Sequence, residues 1–199
     1  LEFQRAKLAF EARLVASGLT YSIVRPTAFF KSLSGQVARV QEGKPFLVFG
    51  DGRLTKCKPI SDHDLGAFVA GCLTEPARQN QVLPIGGPGP ALTPLDQAAI
   101  LSSLLGRDVP VRRVPLGMMS AVIAGLSLAG RVNGRLRDRA EFARIGRYYA
   151  TQSMLVWDEN MQRYSEDATP EFGSDTLRDH YAALLAGEAE AALGAHGAF

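Results

Sequence analysis

Apolar residues recur at helical spacing from the start of the chain. Phe3, Leu8, Phe10, Leu14 and Val15, with Lys7 on the same pattern, mark a helix that Gly18 stops. Residues 21–24 form a short β-branched run closed by Arg25-Pro26, and helix, glycine, strand is the αβ half of a βαβ unit. The spacing predicts one helix over 30–42, closed by Gly43 and Pro45, and then a strand over 46–49 that runs into the turn Gly50-Asp51-Gly52. Ser61 and Asp64 open a further helix as a capping-box-like pair, with Leu65, Phe68, Val69 and Leu73 on its apolar face. A strand over 81–85 ends in the glycine- and proline-rich loop 86–90. Thr93-Pro94 caps a helix that reaches Leu105 and stops at Gly106. Short strands alternating with helices at these spacings predict an α/β fold with a mainly parallel sheet.

Residues 114–130 are the longest uncharged apolar stretch, 17 residues between Arg113 and Arg131, and include Pro115 and three glycines. A spanning helix needs about 20 residues. The stretch therefore reads as a buried or partly buried helix, with contact to lipid or to an apolar ligand as the sharper alternative. Charge after it is uneven. Residues 131–147 hold six arginines against Asp138 and Glu141, a net +4, while 158–190 hold nine carboxylates against Arg163 and Arg178, a net −7. A solvated helix face followed by an acidic tail explains this; a basic, membrane-adjacent surface is the competing reading.

Composition narrows the class. With 46% hydrophobic and 21% charged residues the 199-residue chain is a globular sequence, and a net charge of +2 gives no reason to expect nucleic acid. Cys57 and Cys72 cannot make a disulfide framework, and His63, His180 and His196 have no metal-ligand spacing, so no metal site is expected. The chain opens at Leu1 inside a helical pattern without a signal-peptide core. The expectation is the C-terminal part of a longer chain.

Phe3 and Lys7 stand four residues apart on one helix face, the spacing at which short-chain reductases carry a Tyr and a Lys. Phe3 has no proton to give; a lysine ammonium can hold a ribose hydroxyl. The same helix is followed by Gly18-Leu19, Tyr21 and then Ile23-Val24-Arg25-Pro26-Thr27-Ala28-Phe29. This order resembles the atypical, NmrA-like short-chain dehydrogenases/reductases. The stretches LEFQRAKLAFEA (1–12), SIVRPTAFFKSLSGQV (22–37), GKPFLVFGDGRLTKCKPIS (43–61), NQVLPIGGPGPALTPLDQ (80–97), EFARIGRYYATQSMLV (141–156), TPEFGSDTL (169–177) and the tail 187–199 resemble, within that group, the 8-vinyl reductase family.

The resemblance implies the C-terminal part of a Rossmann-like parallel sheet, residues 1–80, joined to a small, mainly helical substrate-covering region, residues 81–199. It implies NADPH-dependent reduction of the 8-vinyl group of a magnesium tetrapyrrole, divinyl chlorophyllide or protochlorophyllide, to ethyl in (bacterio)chlorophyll synthesis. Lys7 would hold the nicotinamide ribose, and Pro26, Thr27, Ala28 and Phe29 would pass the nicotinamide ring with the proline holding the chain extended. The glycine-rich turn that cradles the pyrophosphate is expected before Leu1; the loop at 86–89 contains a proline and ends a strand instead. Phe30 and the 114–130 stretch are candidate walls for the flat pigment, alongside Phe29, with Lys56, Lys58 or Arg25 for its propionate. Tyr148 and Tyr149 are candidates for the proton donor by residue type only, and packing of an aromatic pair is the favoured reading. His63 has an axial magnesium role set against a place in a capping turn. Cys57 reads as a small half-buried residue. Localisation follows the pigment: cytoplasm, or the chloroplast in a plant or alga, with peripheral membrane contact as an open partner. A non-catalytic NADPH-binding redox sensor or accessory subunit is the alternative function.

Overall fold

Residues 1–189 are described in a computed structural model of the chain. The first helix, α1 (Glu2–Ala16), ends at Ser17 and Gly18, and β1 (Ser22–Pro26) follows. Next come α2 (Phe30–Leu33), a 3-10 turn, α3 (Val37–Gln41), β2 (Phe46–Phe49), α4 (Asp62–Gly71), β3 (Gln81–Ile85) and α5 (Pro94–Leu105). The chain continues as β4 (Val111–Val114), α6 (Leu116–Ala129), α7 (Gly134–Thr151), β5 (Val156–Asp158), β6 (Arg163–Ser165) and α8 (Leu177–Ala186). The architecture is α/β and Rossmann-like. β1 runs parallel to β3, with Ser22 opposite Gln81 and Pro26 opposite Ile85, and β2 runs parallel to β4, with Phe46 opposite Val111. Each parallel pair takes one strand from either side of residue 80. β5 and β6 form an antiparallel hairpin.

Two cores hold these pairs. In the larger one, Phe30, Val40, Val48, Leu101 and Tyr181 bring α2, α3, β2, α5 and α8 together. Burying each such side chain contributes about 1.5–3 kcal/mol, and the Tyr181 hydroxyl donates to the Leu33 carbonyl at 2.8 Å, so its polar end is satisfied as well. The smaller core sets Ile60, Phe68 and Ile85 between α4 and the β1–β3 pair, with the Arg78 guanidinium 4.1 Å from the centroid of the Phe68 ring.

Two local expectations change. The helix read over 30–42 is broken into α2, the 3-10 turn Ser34–Gln36, and α3. Ser34 sits at the break, its hydroxyl bonding back to the Phe30 carbonyl at 2.8 Å and lying 2.9 Å from His180 Nε2. Hydroxyls that bond back in this way bend helices. The capping box at α4 is half formed. Ser61 Oγ accepts from the Asp64 amide at 2.9 Å, while the Asp64 carboxylate turns away to accept the Ser174 and Asp175 amides at 3.0 and 2.9 Å. The apolar stretch forms, over α6, the partly buried helix expected, with no fully buried residue. One stripe of α6 lies against α7; Met118, Val122 and Leu128 face outward. Among the described residues no helix is long and apolar enough to cross a membrane. The apolar positions of α1 are likewise uncovered, with Leu8, Phe10 and Val15 exposed.

Candidate functional site

Parallel strands leave a ligand crevice at their carboxyl ends, and here those ends belong to β1 and β3. Pro26 closes β1, and the chain stays extended through Phe29 because three neighbours hold it. The Thr27 amide donates to Ile85 O at 2.9 Å, the Thr27 hydroxyl donates to Lys58 O, and the Ile60 amide donates to Ala28 O at 2.9 Å. The Phe30 amide then returns to Ile60 O at 3.2 Å. Among the described residues the Ala28 and Phe29 amides have no acceptor, which leaves this loop with two donors for a ligand.

The 58–60 segment is also bonded to the loop after β3. Gly87 donates to Lys58 O at 3.1 Å, and a Cβ at Gly87 would stand 1.9 Å from Pro59 O, so no larger residue fits the approach. On the far side Gly86 donates to Pro170 O at 2.8 Å and accepts from Phe172 N at 2.9 Å. Four segments, 27–29, 58–60, 86–87 and 170–172, thus form one bonded layer across the crevice.

Lys58 is buried within that layer, 5% exposed, and its Nζ donates to Glu171 Oε1 at 2.5 Å. Glu171 Oε2 accepts from the Gly89 amide at 3.3 Å, and the Lys58 ammonium holds this carboxyl below the usual carboxylate range. Lys58 therefore points at Glu171 and not outward to a propionate. Lys56 is more accessible: its ammonium lies 3.8 Å from Glu166, and its main chain pairs with Ser153 Oγ and the Met154 amide at 3.0 and 2.9 Å. Arg25 is engaged by Glu11 of α1 through Nε at 3.2 Å and through a second, shorter contact. That bond fixes α1 to the end of β1.

Lys7 projects from the exposed side of α1, its Nζ 5.6 Å from the centroid of the Phe3 ring. The ring supports the cation where a phenol would otherwise stand. Beside the start of α1, a cleft of about 480 Å³ opens against α7, lined by Glu2, Arg137, Asp138, Glu141, Arg144 and Ile145 among others. Arg144 bonds Glu141 at 3.0 Å and Ser127 of α6 at 2.7 Å, which ties α6, α7 and this cleft together. The Glu141 carboxyl is held low, first by an amide donor from Glu2 and then by Arg144.

The remaining candidates fall elsewhere. Phe30 is a core residue, its ring 5.3 Å from His180, whereas Phe29 is half-buried at the loop. Tyr148 and Tyr149 pack edge to face, with ring centroids 5.5 Å apart, on α7. His63 Nδ1 comes within 3.6 Å of Asp64 and 3.4 Å of Asp175. Sequence spacing gave no sign of this trio. Its carboxylates are already taken up by the Ser174 and Asp175 amides and by the Ser61 hydroxyl, which donates to Asp175 at 2.6 Å, so it reads as the capping turn of α4. Cys57 is 4% exposed and burial pushes its thiol up to about 12, which makes it inert at neutral pH. The tail 190–199 lies outside the described residues.

No protein-family model matches the chain. Among curated proteins, the divinyl chlorophyllide a 8-vinyl-reductases of Arabidopsis thaliana and Cucumis sativus are each 53% identical over 191 and 190 residues, 93% of this chain. The chain is a homologue of the divinyl chlorophyllide a 8-vinyl-reductases. It spans about half the length of these vinyl-reductase relatives, 46% and 45% of each. Among solved structures, a leucoanthocyanidin reductase–NADPH complex from Vitis vinifera has a TM-score of 0.59 at 16% identity, covering 92% of this chain and 58% of that one. At that identity the likeness carries the fold.

Sequence reasoning assigned no role to Glu171, Gly87 or Gly173, although all three sit inside the stretches that carry the vinyl-reductase resemblance. Their signal lay in unusual glycines and a TPEFGSD run. Only the fold shows what these meet.

Proposed function

We propose that this chain supplies the nicotinamide side and the substrate cover of an NADPH-dependent vinyl reductase. The enzyme would convert the 8-vinyl group of divinyl chlorophyllide or protochlorophyllide to ethyl in (bacterio)chlorophyll synthesis. The observation that carries this reading is the 53% identity to plant vinyl-reductases along 93% of the chain. Two separate features suit the nicotinamide half of the cofactor: an exposed ammonium on Lys7 of α1, and an extended loop over 26–29 with two amides that have no acceptor among the described residues.

When bound, NADPH supplies a hydride, and a proton completes the ethyl group. Lys7 holds ribose hydroxyls with a charged donor, and the Ala28 and Phe29 amides face the carboxamide. Phe3 carries no acid, so the proton reaches the pigment from another group or from water. The outward apolar face of α6, with Met118, Val122 and Leu128, and the rim lysine Lys56 suit a flat apolar macrocycle with one carboxylate. Among the described residues no glycine run directly opens a helix after a strand, as the pyrophosphate site requires, so the proposal covers the nicotinamide half alone. The compartment is the one where the pigment is made, which in the plant relatives is the chloroplast.

The test is turnover. Full-length protein incubated with NADPH and divinyl chlorophyllide yields the 8-ethyl product, and Lys7→Ala lowers kcat/KM for NADPH by about ten- to a hundredfold, the loss of one charged hydrogen bond. Absence of ethyl product, or an unchanged kcat/KM in the variant, overturns the reading or the role of Lys7 respectively.

A further inference from the structure

We infer that Lys58 is a positioning residue for this reduction, holding the 26–29 loop in place through its buried pair with Glu171; the inference rests on the reductase reading above. One residue makes all the connections. Its carbonyl accepts the Thr27 hydroxyl from the cofactor loop and the Gly87 amide from the loop after β3. Its side chain crosses directly over Gly86, where an added Cβ would stand 2.6 Å from Lys58 Cβ, and ends on Glu171. Glu171 in turn lies between Pro170 and Phe172, whose main chains bracket Gly86. Main chain and side chain thus close a circuit through 27, 58, 86–87 and 171.

Two features separate this from an incidental surface pair. The ammonium is 5% exposed, whereas Glu171 is 46% exposed, so the buried end of the bridge is the one beneath the cofactor loop. In addition, every segment in the circuit sits at the carboxyl end of β1 or β3 or bonds directly to it. Lys58 touches no ligand position itself. It acts on Thr27, Ala28 and Phe29, and the loop they form sets the face of the nicotinamide.

The effect is expected in the chemical step more than in binding, because a loop displaced by a fraction of an ångström still holds cofactor but misaligns the reacting carbons. In the full-length protein Lys58→Met, which keeps chain length and removes the charge, lowers kcat about ten- to a hundredfold while KM for NADPH changes by less than about threefold. With 4-deuterated NADPH the isotope effect on kcat rises, since transfer becomes slower relative to release. Thr27→Val removes the hydroxyl bond to Lys58 O alone and acts in the same direction. The double variant loses no more than Lys58→Met, because both act through one element. Amide hydrogen exchange at Thr27 and Phe30, whose amides donate to Ile85 O and Ile60 O, rises in Lys58→Met when measured without pigment. Unchanged exchange at these amides overturns the inference, as does a double variant whose losses multiply. If Lys58→Met does not fold, Thr27→Val and its exchange decide the matter alone. Absence of turnover in the wild-type protein defeats the reductase reading instead, and exchange still decides whether Lys58 holds the loop.

Discussion

Gly173→Ala is expected to be among the most damaging small changes in the chain, although residue 173 is exposed. Gly173 has φ +92° and Gly18 has φ +76°, so an alanine at either position meets the left-handed penalty of about 1–2 kcal/mol. Their surroundings differ completely. A Cβ at Gly18 meets nothing within 4 Å, whereas at Gly173 it would stand 2.0 Å from Asp64 Cγ and 2.1 Å from Asp64 Oδ2. Asp64 must then move, and it is the acceptor for the Ser174 and Asp175 amides. Overpacking costs about 1–3 kcal/mol, and a hydrogen bond to a charged group contributes about 1.5–3 kcal/mol. Taken with the φ penalty, and without assuming full additivity, Gly173→Ala should cost about 3–6 kcal/mol. At about 2–4 °C per kcal/mol for a chain of this size, thermal unfolding followed by circular dichroism should fall by roughly 6–24 °C for Gly173→Ala. The fall for Gly18→Ala should be only about 2–8 °C. Combining Asp64→Ala with Gly173→Ala should recover little, because Asp64 Cβ itself lies 2.5 Å from the added carbon. Midpoints for the two glycine variants that agree within about 2 °C would refute the claim that the 169–175 segment is clamped on Asp64.

Other expectations follow from single groups. Tyr181→Phe leaves the Leu33 carbonyl without its 2.8 Å donor and should cost about 1–3 kcal/mol, read as a lower urea midpoint with an unchanged slope. Burial lowers the pKa of His180, with Asp62 opposing more weakly, so below the unfolded value of about 6.5 the unfolded chain takes up a proton that the fold resists. Stability from this source is present above that value and is lost as pH falls through the window beneath it. Urea midpoints at pH 5 and pH 7.5 should differ less in His180→Phe than in wild type. In the folded protein an alkylating reagent at pH 8 should modify Cys72 and spare Cys57, whose thiol is buried and pushed up to about 12; equal labelling rates would contradict that burial.

Elements with chemical punctuation were legible in the sequence. Thr93 forms a full capping box with Asp96, Gly106 ends α5 at φ +62°, and Pro26 and Gly50 mark the ends of β1 and β2. β4 was not legible. Its Val-Arg-Arg-Val sequence is mostly exposed, and it is a strand because β2 offers an edge, a decision made by tertiary contact. The three-residue strands β5 and β6 are too short for periodicity to register. α6 shows the opposite failure. A helix apolar on nearly every side gives no direction to its burial, so only the packing of α7 decides that Met118, Val122 and Leu128 face outward.

The candidate site divides along the same line. Phe3 and Lys7, or Pro26 and Phe29, are local patterns that a sequence displays directly. Lys58 and Glu171 are separated by 113 residues, and neither position announces the other. Yet most of the stretches that carry the vinyl-reductase resemblance meet in the fold. Residues 22–37 and 43–61 meet through Ala28 and Ile60, 43–61 and 80–97 through Lys58 and Gly87, and 80–97 and 169–177 through Gly86 and Pro170. The stretch 141–156 joins them where the Met154 amide donates to Lys56 O at 2.9 Å. Segments far apart in the chain thus form one bonded layer at the ends of β1 and β3. A substitution in any of them displaces its neighbours, and under the function proposed above, a crevice that aligns a cofactor with a rigid macrocycle has little room for that.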